Sequence, residues 1–250
     1  LTAAYGAGRS CAVPTPPPPP FSANAVRFDG TNDFLTRGAG FTGASDNKTG
    51  LVSFWFNLKG GDAVIMKIME QAPGQIEIQR QADNKIFHRF QGSGGLAAWN
   101  GNTTQTFLSS GTWIHYLLSF DAAAGVRQLY IADNVETVLN SVENDTTADW
   151  TGTDWGIGAA PAGGLKLNSD VAEFYMTNEF LDLSVVANRR KFIDAVAKPV
   201  DLGTDGSTPT GTKPLVFFSG ATVAWHTNKG SGGGFTENGA LTDGFDSPSD

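Results

Sequence analysis

Three tryptophan-containing segments have the composition of sugar-binding loops. Residues 99–102, 150–155 and 225–228 each place tryptophan beside asparagine, aspartate, glycine or threonine. An exposed aromatic ring can pack against a pyranose ring, while nearby amide and carboxylate groups bond its hydroxyls. The candidate sugar contacts are Trp99, Asn100, Asn102, Trp150, Asp154 and Trp155. The alternative interpretation is that these tryptophans cover the edge of an apolar core.

A second candidate site is the acidic turn at residues 29–33. Asp29, Asn32 and Asp33 cluster there, and carboxylate and amide oxygens are the ligands that calcium prefers. The alternative is that these side chains bond the backbone of their own turn. We expect no obligatory cofactor, and a structural calcium ion is the one metal that the residues favour.

The sequence lacks the residue pairs that hydrolytic catalysis needs. Glycosidases hold two carboxylates about 5–9.5 Å apart, which alternate positions on one strand would provide. Glu77 lies in such a strand, but Gln75 and Gln79 occupy the flanking alternate positions. No Gly-x-Ser-x-Gly motif is present, and the three histidines are far apart in sequence. We expect no enzymatic activity, and glycoside hydrolysis ranks behind the two functions given below.

Composition and charge exclude several classes of function. Hydrophobic residues make up 40% of the 250-residue chain, which is enough for a core. The formal net charge of −8 argues against nucleic-acid partners and anionic membranes, and no apolar run is long enough to span a bilayer. The single cysteine, Cys11, excludes an intramolecular disulfide framework.

The first 23 residues form a proline-rich arm. Its prolines are Pro14, Pro16, Pro17, Pro18, Pro19 and Pro20. Such a run favours an extended polyproline II conformation and breaks regular strand pairing. An arm of this kind is either a spacer or a segment that lies on a neighbour. We expect it to anchor the chain in an assembly.

Short strand-like runs separated by turn residues fill residues 24–220. Residues 51–56, 75–80, 86–90, 113–120 and 126–131 are examples. A helical pattern is present near residues 184–197, where Ser184 is the candidate cap. We expect the Gly/Asp-rich stretch 221–250 to be a C-terminal loop or tail. The pattern predicts an all-β fold, a two-sheet antiparallel β-sandwich with one short helix.

Four segments in order resemble concanavalin A-like, laminin G-type jelly-roll domains. They are residues 28–34, 51–56, 113–133 and 170–184. The resemblance covers roughly residues 24–190 and implies a jelly-roll sandwich. It also implies that the first and last strands pair closely. That pairing would bring Asp170 or Glu173 near Asp29 and Asp33, and complete the candidate calcium site.

The C-terminal stretch resembles extensions that follow such domains in bacteriophage proteins. The segments concerned are residues 213–220, 228–230 and 239–242. The resemblance implies a non-enzymatic virion structural protein, a decoration, fibre or tail component on the virion surface. Its expected partners are other virion subunits, copies of itself and a host-surface glycan. The alternative is a secreted, extracellular carbohydrate-binding module, and both functions can hold together.

Overall fold

The computed structural model describes residues 21–250, and within this range the chain forms sixteen strands and two short helices. The elements are β1 Val26–Asp29, β2 Phe34–Arg37, β3 Thr49–Leu58, β4 Met66–Gln71, β5 Ile76–Arg80, β6 Ile86–Gln91, β7 Ala97–Thr103, β8 Ile114–Asp121, β9 Val126–Ile131, β10 Asn134–Val135, β11 Val138–Glu143, β12 Trp155–Ile157, β13 Asn168–Thr177, α1 Val186–Arg189, β14 Val216–Phe218, α2 Thr222–Trp225, β15 Thr236–Asn238 and β16 Thr242–Asp243.

The strands form two antiparallel sheets. Sheet A has the order β10-β9-β8-β3-β13-β1-β16, and β14 also pairs with β13. Sheet B has the order β11-β7-β6-β5-β4-β12-β2-β15. The predicted two-sheet antiparallel sandwich is confirmed. No helix among residues 21–250 is long and apolar enough to cross a membrane.

The core lies between the two sheets and is rich in aromatic rings. Strand β6 shows how the sequence builds it, because its residues alternate between buried and half-buried positions. Phe90 from sheet B packs against Phe120 from sheet A, with ring centroids 4.9 Å apart. Such alternation sends every second side chain inward and leaves the others on the outer face of the sheet.

The outer face of sheet A is covered by the segment that follows β13. A second apolar cluster fills this interface; its buried members are Leu51, Leu117, Tyr175, Leu183, Phe192, Leu202 and Phe217. This covering explains why strands β3 and β13 are buried on both faces. Sheet B has no comparable second cluster among the described residues.

The helix predicted near residues 184–197 is much shorter in the structure. Only Val186–Arg189 is α-helical. Ser184 does not cap it, because its hydroxyl donates to Asp182 instead. Asp194 then ends the helical path by accepting bonds from the backbone N–H groups of Val196 and Lys198. The local turn chemistry of aspartate therefore outweighs the helical spacing of the apolar residues.

The C-terminal stretch 221–250 is part of the sandwich and does not form a loose tail. Strand β15 pairs with β2, and β16 pairs with β1, so this stretch adds a strand to each sheet. Beyond β16, Asp170 accepts a hydrogen bond from the backbone N–H of Phe245 at 3.2 Å. The proline-rich arm predicted at residues 1–23 lies almost entirely outside the described residues.

Candidate functional site

The tryptophans that the sequence placed in sugar-binding loops are buried in the core. The exposed fractions of Trp99, Trp150 and Trp155 are 2%, 0% and 0%, and Trp225 is equally enclosed. The indole N–H groups of the first three donate to the protein itself, as when Trp150 donates to the backbone oxygen of Thr49 at 3.1 Å. The expectation that these rings are exposed is wrong, because they fill the sandwich and cannot stack on a ligand.

Asn100 and Asn102 take the opposite orientation from Trp99. In β7, Trp99 pairs with the core residue Phe90, so the next position along the strand must face outward. Asn100 therefore pairs with Arg89, and Asn102 pairs with Phe87, on the outer face of sheet B. The structure brings these four side chains together across β6 and β7. We call this set the sheet-B polar face.

A cluster of four charges borders the sheet-B polar face. Glu77 in β5 forms ion pairs with Lys67 in β4 and with Arg89 in β6. Lys67 also lies 3.5 Å from Glu70, which pairs directly with Glu77 across the sheet. The irregular register between Lys67 and Met69 allows Lys67 and Glu70 to share one face. The cluster is neutral overall and holds the Arg89 guanidinium in place.

Several hydrogen-bonding groups on the sheet-B polar face have no partner among residues 21–250. Within residues 21–250, the side chains of Asn100 and Asn102 make no hydrogen bond, and Nε of Arg89 is buried without an acceptor. Phe87 is half-buried and lies 5.7 Å from the Arg89 guanidinium. The face therefore combines planar polar groups with an aromatic ring. This combination suits a ligand whose ring carries hydroxyl groups at its edge and has an apolar C–H face.

Asp154, the remaining predicted sugar contact, lies away from this face. It is exposed, precedes β12, and lines a small cleft with Phe34, Arg37 and Asn238. Strands β6, β5 and β4 separate β7 from β12 in the sheet. At about 4.8 Å per strand, this places Asp154 roughly 19 Å from Asn100. The predicted residues therefore do not form a single site.

The four carboxylates of the predicted calcium site have separate roles. Asp29 accepts bonds from the backbone N–H groups of its own turn, including that of Thr31 at 2.7 Å. Burial raises the pKa of Asp29, but these hydrogen bonds outweigh burial and hold the pKa below its ordinary value. Asp33 accepts a bond from the backbone N–H of Ala240, and burial raises its pKa.

Asp170 and Glu173 do not join the acidic turn in a shared metal site. Asp170 forms ion pairs with Arg27 and Lys59, so two cations already occupy its oxygens. No group of three or more His, Cys, Asp or Glu side chains suited to a metal occurs in the described part of the chain. These residues therefore do not fit calcium in the way that the resemblance implied.

The structure also assembles a serine–histidine pair that sequence spacing could not reveal. Oγ of Ser53 lies 2.8 Å from Nε2 of His115, on neighbouring strands β3 and β8. Both residues are buried, and Nδ1 of His115 has no hydrogen-bond partner in the described part of the chain. Burial lowers the pKa of His115 to about 3, although the charge of Asp133 opposes the shift. Such an imidazole is a weak base and has no contact with solvent.

No family model matches this chain, and no curated protein sequence matches it. Several solved structures share its fold. A heptameric SAP-like pentraxin from Limulus polyphemus has a TM-score of 0.56 and 14% identity, over 89% of this chain and 95% of that one. The chain is a jelly-roll β-sandwich. The resemblance to this fold class is confirmed, whereas the phage resemblance of the C-terminal stretch stays a prediction.

Two further jelly rolls are similar in structure. A Bacteroides ovatus protein assigned as carbohydrate-binding has a TM-score of 0.62 and 12% identity, over 91% of this chain and 62% of that one. This chain thus spans less than two thirds of that protein. Domains LG4-5 of the mouse laminin alpha1 chain have a TM-score of 0.47 and 17% identity, over 70% of this chain and 47% of that one. At 14% and 12% identity, the similarity to the pentraxin and to the Bacteroides ovatus protein shows the fold alone.

Proposed function

We propose that this jelly roll is a non-catalytic carbohydrate-binding module that holds a neutral glycan on the sheet-B polar face. The observation that carries the proposal is the pair of half-buried amides of Asn100 and Asn102, which make no hydrogen bond within residues 21–250. They lie beside the ring of Phe87 and the Arg89 side chain, which is 30% exposed. Sugar binding needs both elements, since hydroxyls require fixed hydrogen-bonding partners and the ring carbons require an apolar surface. The carbohydrate-binding assignment of the Bacteroides ovatus neighbour supports the same reading.

The charge cluster supports binding without hydrolysis. Glu70 and Glu77 are a cross-strand carboxylate pair, which glycosidases also possess. In this chain, however, Lys67 lies against both of them, and Arg89 forms an ion pair with Glu77. Neither carboxylate is then placed to donate a proton to a leaving group. Glu77 instead holds the Arg89 guanidinium in an ion pair.

A glycan array followed by affinity electrophoresis tests the proposal. We expect the full chain to be retained by at least one neutral glycan. Asn100→Ala and Phe87→Ala should each reduce retention at least about tenfold, since each removes one of the two required contacts. The matched control is Asn134→Ala, an exposed asparagine in β10 at the edge of sheet A. Equal loss in the control, or no glycan retained at all, would contradict the proposal.

The narrower role of virion structural protein rests on the phage-like C-terminal stretch and on the proline-rich arm. Its expected partners, other virion subunits and copies of this chain, and its place on the virion surface are proposals with the same basis. A secreted, extracellular module would use the sheet-B polar face in the same way. Binding by this face is therefore independent of which setting holds.

A further inference from the structure

A second cavity lies on the outer side of sheet A, away from the sheet-B polar face. Its volume is about 290 Å³, and we call it the Glu173 cavity. The residues that line it are Phe21, Ser22, Asn24, Glu173, Asp201, Gly203, Thr204, Ser219, Gly220 and Lys229. They come from the start of the described chain, from β13, and from the segments around β14. This convergence of distant segments gives the cavity a defined set of walls.

An irregularity in β13 places Glu173 on the cavity wall. Val171 and Phe174 both belong to the core, although they are three positions apart. An odd spacing between two inward-facing residues requires an extra residue, and the register shifts between Ala172 and Tyr175. Glu173 is that residue, and it adopts a left-handed φ of +49°. The chain therefore accepts backbone strain at the point where it presents this carboxyl group.

The Glu173 carboxyl is buried and has no partner in the part of the chain that the structure describes. Its residue is 3% exposed, and it makes no hydrogen bond or ion pair with any residue from 21 to 250. Buried carboxyl groups in proteins are normally paired, because desolvation of the charged form is costly. Burial accordingly raises the pKa of Glu173 to about 8, while Lys229 lowers it and Asp201 raises it.

The charges around the cavity favour a cationic ligand. Asp201 adds a second carboxylate to the wall. Lys229 is the one cation among the lining residues. Its ammonium group donates to Oγ of Ser219 at 2.8 Å and forms no ion pair with Glu173 or Asp201. A ligand ammonium group could donate to Glu173 and Asp201 together, and its apolar part would lie near Phe21. A neutral ligand would leave the buried carboxyl protonated, and no ion pair would form.

We propose that the Glu173 cavity binds a small organic cation through its primary ammonium group, with Glu173 and Asp201 as the acceptors. At neutral pH, binding displaces the proton of the Glu173 carboxyl into solvent, so one positive charge replaces another. The apparent affinity should then rise about tenfold per pH unit up to about pH 8, and level off above it.

The test is calorimetric titration of the full chain with n-butylammonium, and with n-butanol as its uncharged counterpart. We expect binding of n-butylammonium only, with the pH dependence given above and release of a proton below pH 8. Glu173→Gln should weaken binding at least about tenfold and remove the pH dependence. The matched control, Asp145→Asn, changes an exposed carboxylate whose partner is Lys48 and should have no effect.

Three results would overturn this proposal: no binding of n-butylammonium to the folded chain, equal binding of n-butanol, or unchanged binding by a folded Glu173→Gln variant. Glutamine has nearly the same shape as glutamate, and circular dichroism verifies that the variant is folded. Glycan retention is measured on the same samples. Loss of one ligand without the other then separates this site from the sheet-B polar face.

Discussion

At the residue scale, burial separates the tryptophans from the asparagines beside them. Trp99 contacts His88, with ring centroids 4.3 Å apart, and is 2% exposed. Trp99→Ala should therefore lower the free energy of unfolding by about 3–5 kcal/mol, the usual cost of deleting a buried large aromatic side chain. Val223→Ala, at a position that is 84% exposed, should change it by less than about 0.5 kcal/mol. Urea denaturation measures both, and similar values would contradict the burial assigned to Trp99.

Glu173 gives the molecule a pH dependence with a definite sign. Its pKa is about 8 in the folded state and 4.5 ordinarily, so the folded state keeps a proton that the unfolded state loses in between. This contribution makes stability fall as the pH rises through that window. The free energy of unfolding of Glu173→Gln should equal that of the parent near pH 4. At pH 8 it should be higher than the parent's by about 5 kcal/mol. Denaturation at both pH values measures the difference; a variant less stable at pH 8 would contradict the assigned burial.

At the element scale, the contact between β7 and β11 depends on a glycine. A methyl group at Gly101 would lie 2.2 Å from Cγ1 of Val138 and 3.0 Å from the backbone oxygen of Leu139. Gly101→Ala should therefore displace β11 and cost about 1–3 kcal/mol. The control is Gly94→Ala, where nothing lies within 4 Å and φ is not left-handed. Hydrogen exchange should show faster exchange in β11 for the first variant only; unchanged exchange would exclude this close packing.

Local turn chemistry made some elements predictable from sequence. Asp83-Asn84 marks the turn between β5 and β6, and these strands pair as a hairpin. The helix predicted near residues 184–197 is present but shorter, because the spacing of apolar residues does not take account of the turn at Asp194 or of packing against sheet A. The pairing of residues 236–243 with β1 and β2 joins opposite ends of the chain. A local sequence pattern cannot predict pairing between strands so far apart in the chain.

The candidate sites show a similar division. Alternation along β7 could predict that Asn100 and Trp99 face opposite ways, but the burial of Trp99 depends on the second sheet. Glu70 and Glu77 meet only through the register of β4 and β5. Glu173 lines its cavity because the register of β13 shifts there, and the neighbouring residues in the sequence do not predict this shift. These features depend on tertiary structure.

At the scale of the whole molecule, the net charge of −8 restricts the glycans that the chain can hold. Polyanionic sugars would be repelled, whereas neutral sugars bind through short-range contacts. We expect glycan affinity to change less than about twofold between about 0.05 and 0.5 M NaCl, because neutral ligands are hardly affected by screening. Affinity electrophoresis at both salt concentrations measures this. A tenfold change would show that a charged ligand is being recognised.

The most direct test of the central claim is to map a bound glycan onto the whole sandwich. Isotope-labelled chain is titrated with the best glycan from the array, and backbone amide shifts are followed by NMR. The account predicts that the perturbed amides lie in β5, β6, β7 and β11, around Arg89, Asn100 and Asn102. Perturbations confined to other strands or to the cleft beside Asp154, with these residues unchanged, would contradict it.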